Sequence, residues 1–211
     1  MKFEVLTRYA SRFTLHGKQS SVVTIVSLVI LFSVSQIIRA GEVIKSDVTY
    51  DNGVYSINVI MDINGDISRT REILLDYSQT PRYNDNIIKS ELLKTTVTGK
   101  KIGRVVIRDC LLFLCRTLVQ VQEMEKLSSG DIQIHVIPER SDYNTGDYMW
   151  HITPGPYGVT RLRVNAVIAP KISVPPVIGP VLISHKLKTR MIGVINKLER
   201  LSRQDYGTKT N

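Results

Sequence analysis

Side chains able to do acid–base or metal chemistry near neutral pH are few: His16, His135, His151 and His185, with Cys110 and Cys115. The histidines show no metal-ligand spacing, and one cysteine pair lacks the second pair or histidine set that a zinc site needs. The sequence holds no P-loop, no Gly-x-Ser-x-Gly elbow and no Gly-x-Gly-x-x-Gly turn after a strand. No catalytic constellation, metal or cofactor is therefore expected.

The cysteines enclose Leu111, Leu112, Phe113 and Leu114. On one straight strand, rising about 3.3 Å per residue, their sulfurs would lie far beyond bridging distance. A disulfide thus requires a turn. A four-residue hairpin loop would supply it, with Leu-Leu-Phe-Leu at the tip; two free cysteines buried in an apolar strand are the other reading.

Compartment bears on that choice. Ser20 to Ile38 form nineteen residues without a charge, preceded by a basic segment from Lys2 to Lys18. This length lies between a signal-peptide core and a membrane-spanning helix, so residues 1–40 read as a signal peptide or an N-terminal anchor. Ala40, with Ile38 two before it, offers a cleavage site, although Arg39 makes it less than ideal. In both cases the basic flank stays inside and residues 41–211 are exported, to the periplasm or to a membrane-anchored position on the outer side of the inner membrane.

The net charge of +9 raises the question of nucleic acid. Lys2, Arg8, Arg12, Lys18 and Arg39 against Glu4 place four of those nine charges in the leader. The rest are dispersed without a recognition-helix pattern, so no nucleic-acid partner is expected, whereas a membrane surface suits the charge.

The elements that must position any site follow from periodicity. Residues 55–62 alternate as a strand, and Asn64-Gly65-Asp66 turns the chain. Ser68 then reads as the N-cap of a helix that ends at Pro81. Six strand-like runs follow, at 87–97, 101–109, 116–126, 131–138, 147–153 and 159–169, separated by turn residues. On these runs Ile132, Ile134 and Val136 oppose Gln133 and His135, and Leu162, Val164, Ala166 and Ile168 oppose Arg161, Arg163 and Asn165. An antiparallel sheet covered on one face is expected. The cover is a helix over 180–203 with a stripe of Leu187, Met191, Val194, Ile195, Leu198 and Leu201, its basic remainder facing water. The class is α+β.

Locally, Leu74-Leu75-Asp76-Tyr77-Ser78-Gln79-Thr80-Pro81 followed by Ile88-Lys89-Ser90-Glu91-Leu92-Leu93 resembles the START-like superfamily, which includes lipid-binding domains, polyketide cyclases and coenzyme Q-binding proteins. Gly146-Asp147-Tyr148-Met149-Trp150-His151-Ile152 is similar to its glycine-led strand, and Val174-Pro175-Pro176 to its entry into the last helix. The resemblance covers most of residues 47–203. It implies a helix-grip fold: a curved antiparallel sheet of about seven strands on a long C-terminal helix, with short helices after the first strand.

What the resemblance implies for function is a cavity for a hydrophobic small molecule, a lipid, quinone or polyketide, lined by Ile134, Val136, Trp150, Ile152, Leu162, Val164, Met191 and Ile195. Core packing is the competing role for each, and for Tyr148. A cyclase-like enzyme would need an inward acid or base. Alternation turns His135 and His151 outward, away from Ile134 and Trp150. A third reading is an envelope interaction protein with a collapsed cavity, docking through the Leu111 to Leu114 tip or the basic helix.

Overall fold

A computed structural model describes residues 41–111, 114–171 and 179–204. The leader segment 20–38, Leu112 and Phe113 at the cysteine hairpin, and Val174-Pro175-Pro176 lie outside the described residues. Among the described residues no helix is long and apolar enough to cross a membrane.

Eight strands form one antiparallel sheet: β1 (Glu42–Asp51), β2 (Val54–Ile63), β3 (Ile87–Thr95), β4 (Lys101–Leu111), β5 (Leu114–Lys126), β6 (Ile132–Val136), β7 (Tyr143–Pro154) and β8 (Thr160–Pro170). Their order across the sheet is β1-β2-β8-β7-β6-β5-β4-β3. Between β2 and β3 come α1 (Ile67–Leu75), a 3-10 turn at Tyr77–Gln79 and α2 (Thr80–Tyr83); the chain closes with α3 (Gly179–Gln204). The seven strands expected from periodicity are all present. The eighth, β1, places the short helices after the second strand rather than the first.

β1 escapes the alternation test because it is a charged edge strand with a register shift between Val43 and Lys45 and an outward Ile44. Such devices protect an open sheet edge from further pairing. It joins β2 through Asn52-Gly53, both at positive φ (47° and 88°), the backbone a tight hairpin requires.

Two local expectations are corrected. The cap of α1 is Asp66, whose carboxylate accepts from the Arg69 amide at 2.8 Å, so Ser68 lies inside the first turn. Pro81 does not end the helix. The chain leaves α1 at Leu75, Asp76 caps the 3-10 turn, and Pro81 stands at the start of α2, where its missing N–H leaves no intrahelical bond unmade.

The alternation on β6 holds, with Ile132, Ile134 and Val136 buried and Gln133 and His135 exposed. The α3 stripe holds too: Val194, Ile195, Leu198 and Leu201 are buried, with Leu187 and Met191 packed partly against the core. α3 lies against β1, β2, α1 and α2. Its cations do not all face water, for Arg190 pairs with Asp109, Lys197 with Asp85, and Lys186 donates to the Cys110 carbonyl.

Candidate functional site

Between α2 and the β3–β7 side of the sheet lies a partly open cavity of about 170 Å³. α2 and the loop after it supply Thr80, Tyr83 and Asn84, and β3 supplies Ile87. The sheet supplies Val105 and Ile107 from β4, Gln120, Gln122 and Met124 from β5, Ile134 from β6, and Tyr148 and Trp150 from β7. Successive side chains on a strand point to opposite faces, so these i, i+2 pairs share the covered face. Register agrees: Val105 lies opposite Gln120, Met124 opposite Ile134, and Ile134 opposite Tyr148.

Within these mostly apolar walls runs a chain of neutral polar groups. The Tyr148 hydroxyl donates to Gln120 Oε1 at 3.1 Å, Gln120 Nε2 donates to Gln122 Oε1, and Gln122 Nε2 donates to the Tyr77 hydroxyl at 3.4 Å. Tyr77 gets close enough because residue 103, opposite Gln122, is glycine. A Cβ there would stand 2.3 Å from the Tyr77 ring. Trp150 adds an indole N–H that is buried and has no acceptor.

Burial holds the phenols protonated. It pushes Tyr77 up to about 12, against a hydrogen bond from Gln122, and Tyr83 up to about 12. Tyr148 is raised further by the same desolvation. Among the described residues the lining includes no carboxylate, imidazole, ammonium or guanidinium group. The cavity therefore suits an uncharged guest, since a buried ion without a partner costs several kcal/mol.

Of the eight residues expected to line a pocket, Ile134 and Trp150 do so here. Ile152, Leu162 and Ile195 sit in the packed core, while Val164 and Met191 are partly buried against it. Val136 is fully buried beside Gly146. Among the described residues none lining this cavity comes from α3; α2 supplies Thr80 and Tyr83 opposite β4–β7. Gln120, Gln122, Tyr83 and Tyr148 carry its polar character instead.

Both strand histidines face away from the cavity. His135 Nδ1 meets Asp147 at 2.6 Å on the exposed face, and His151 Nδ1 meets Asp131 at 3.1 Å. Although partial burial opposes it, hydrogen bonds from His151, the Ile152 amide and Ser129 keep the Asp131 carboxyl below its ordinary value. At the far end of the β4–β5 ladder Cys110 stands opposite Cys115 and the two are joined as a disulfide. The ladder runs on to Leu111 and Leu114, leaving a two-residue connection in place of the four-residue loop considered from sequence. Among the described residues no group of three or more His, Cys, Asp or Glu could hold a metal.

The architecture matches solved structures along nearly their full length. An aromatase/cyclase, Zhui, from Streptomyces sp. R1128 aligns with a TM-score of 0.58 at 9% identity, covering 75% of this chain and 99% of that one. A START superfamily protein from Mycobacterium smegmatis gives 0.56 at 16% identity, covering 71% and 97%. This chain has the helix-grip fold. A STAR-related lipid transfer protein from Xanthomonas axonopodis shares it, with a TM-score of 0.55, 14% identity, and 72% and 98% covered. No protein-family model and no curated protein matches the sequence. In the helix-grip arrangement seen here, α3 packs along β1 and β2 and reaches the end of β4 through Lys186 and Arg190, while α2 stands over the cavity.

Proposed function

We propose that residues 41–211 bind a neutral apolar molecule bearing a hydrogen-bond acceptor, such as a lipid or a quinone, in the cell envelope on the outer side of the inner membrane. The observation that carries this is the cavity's composition: apolar walls crossed by the Tyr148–Gln120–Gln122–Tyr77 chain, with no charged group in the lining among the described residues. Apolar burial supplies affinity at about 25 cal/mol per Å², and the few polar atoms select orientation. At about 170 Å³ the space is smaller than the roughly 300–1,000 Å³ of a drug-sized site, so it suits one ring or the uncharged end of a longer molecule.

Fold neighbours support the ligand class, since one is a STAR-related lipid transfer protein and another an aromatase/cyclase. The uncharged segment Ser20 to Ile38 behind its basic flank supports export, and a disulfide suits an oxidising compartment. The net positive charge of the chain suits approach to an anionic membrane surface, from which such a molecule would come. Purified protein extracted with organic solvent should release a stoichiometric neutral amphiphile by mass spectrometry. An empty protein that also takes up no fluorescent lipid would remove the proposal.

A cyclase-like enzyme is the second reading, favoured by the likeness to the Streptomyces aromatase/cyclase. Its acid would be a phenol, Tyr83 or Tyr148, because among the described residues these are the titratable groups in the lining and burial keeps both protonated. Tyr148→Phe abolishing turnover of a polyketide mimic while leaving its binding intact would establish this reading over simple binding.

A further inference from the structure

Glu199 stands on α3 among the apolar residues Leu198 and Leu201, yet it is 8% exposed and takes no part in the cavity. Its Oε1 accepts two backbone N–H groups from distant segments, Gly41 at 2.7 Å and Asn64 at 2.7 Å. The charged side chain paired with it is Arg203, 3.9 Å from Oε2 and 55% exposed itself. Among the described residues these two amides and this largely solvated guanidinium are the groups that meet the carboxylate, and no charged donor touches Oε1.

Gly41 fits this place closely. A Cβ on residue 41 would lie 2.3 Å from Ile195 Cγ2, 2.4 Å from Glu199 Oε1 and 2.5 Å from the Asp62 carbonyl oxygen, so a larger residue would force α3 or β2 to shift. Gly41 is also the residue that follows Ala40, where the sequence offers its cleavage site.

We propose that Gly41 is the N-terminal residue of the mature protein and that Glu199 is the receptor for its α-ammonium group. The proposal rests on the export reading above. A leader peptidase of the export machinery hydrolyses the Ala40–Gly41 bond: the water oxygen joins the Ala40 carbonyl carbon, which becomes a carboxylate, and the Gly41 nitrogen takes up protons. A neutral donor to Oε1 thereby becomes a charged one at a separation already typical of charge-assisted bonds. The Asn64 amide holds the same oxygen, so the ion pair forms without moving α3. Processing then strengthens the junction between the start of β1, the turn after β2 and the C-terminal helix.

The test uses the full 211-residue chain, expressed in a host with an export route and recovered from its envelope fraction. Intact mass and N-terminal sequencing should give Gly41 as the first residue. An amine-acylating reagent should then label that α-amine at least about tenfold more slowly in the native protein than in denaturant, a factor equivalent to about 1.4 kcal/mol, and Glu199→Gln should remove the protection. If Glu199→Gln does not accumulate, the native-against-denatured comparison on the unsubstituted protein decides alone. An exported protein that begins elsewhere or keeps its leader overturns the proposal and leaves export standing. A protein found only in the cytoplasm overturns export and the proposal together. A Gly41 terminus labelled equally fast folded and unfolded overturns the role of Glu199.

Discussion

Tyr148 on β7 donates its hydroxyl hydrogen to Gln120 on β5 at 3.1 Å, across the intervening strand β6. The bond spans the floor of the cavity and fixes the first amide of the Gln120–Gln122–Tyr77 chain. A buried amide oxygen deprived of its donor loses about 1–3 kcal/mol.

Tyr148→Phe is accordingly expected to lower stability by about 1–2 kcal/mol in urea unfolding, because Gln120 is buried and loses its phenolic donor. Replacing Gln120 by Leu in the same background should recover only part of the loss, since it removes the orphaned Gln120 oxygen but leaves Gln122 Oε1 without the donor that Gln120 supplied. Additive losses in the double variant would show that the two residues do not act as a pair.

Gly103→Ala is expected to destabilise the fold by about 1–3 kcal/mol, as overpacking does. Its Cβ would meet the Tyr77 ring at 2.3 Å, and the ring is locked between β4 and α2. Thermal unfolding of Gly103→Ala, Tyr77→Ala and the double variant should show strong non-additivity. Independent effects would mean that the ring is free to move aside.

Much of this fold was legible because one side of the sheet is dry. The alternation of β6 and β8 and the stripe on α3 all report a single covered face, and the structure keeps each of them. β1 was harder to read, since the register shift between Val43 and Lys45 breaks its alternation and its covered face, Val43, Ser46, Val48 and Tyr50, is only half-buried; Asn52-Gly53, with both residues at positive φ, was the signal that marks it. The site was harder still. β5 offers Val119 and Val121 on one face and Gln120 and Gln122 on the other, and hydropathy selects the valines as inward. Register puts the glutamines inside, because they share a face with Val105 and Gly103 and bond to buried phenols. Ile134 and Trp150 were readable as lining residues; the contribution of α2 was not, because its four residues carry no period of their own.

Alkaline pH should loosen the domain before it affects a comparable protein with exposed tyrosines. Tyr77 and Tyr83 ionise near 10 when unfolded and near 12 when folded, because burial disfavours the phenolate. The native state then holds these protons more tightly, so their stabilisation is complete below about pH 10 and lost as pH climbs through about 12. Urea midpoints should fall over that window, together with late-titrating tyrosinate absorbance. A flat midpoint across it would contradict the buried phenols.

Reducing the Cys110–Cys115 bond should cost about 2 kcal/mol, the chain-entropy value for so short a loop, and no more, since the β4–β5 ladder flanks it. Melting the wild type with and without reductant, alongside Cys110→Ser with Cys115→Ser, measures this. Unchanged melting temperatures would mean that the ladder alone sets the hairpin.

Trp150 is the chain's one tryptophan and lines the cavity, so its fluorescence reports on occupancy without a label. Delipidated protein titrated with a short-chain ubiquinone, a diacylglycerol and a fatty-acid anion should show a saturable one-to-one change for at least one neutral molecule and none for the anion. No saturable response to either neutral molecule, or an equal response to the anion, would contradict a cavity built for an uncharged apolar guest.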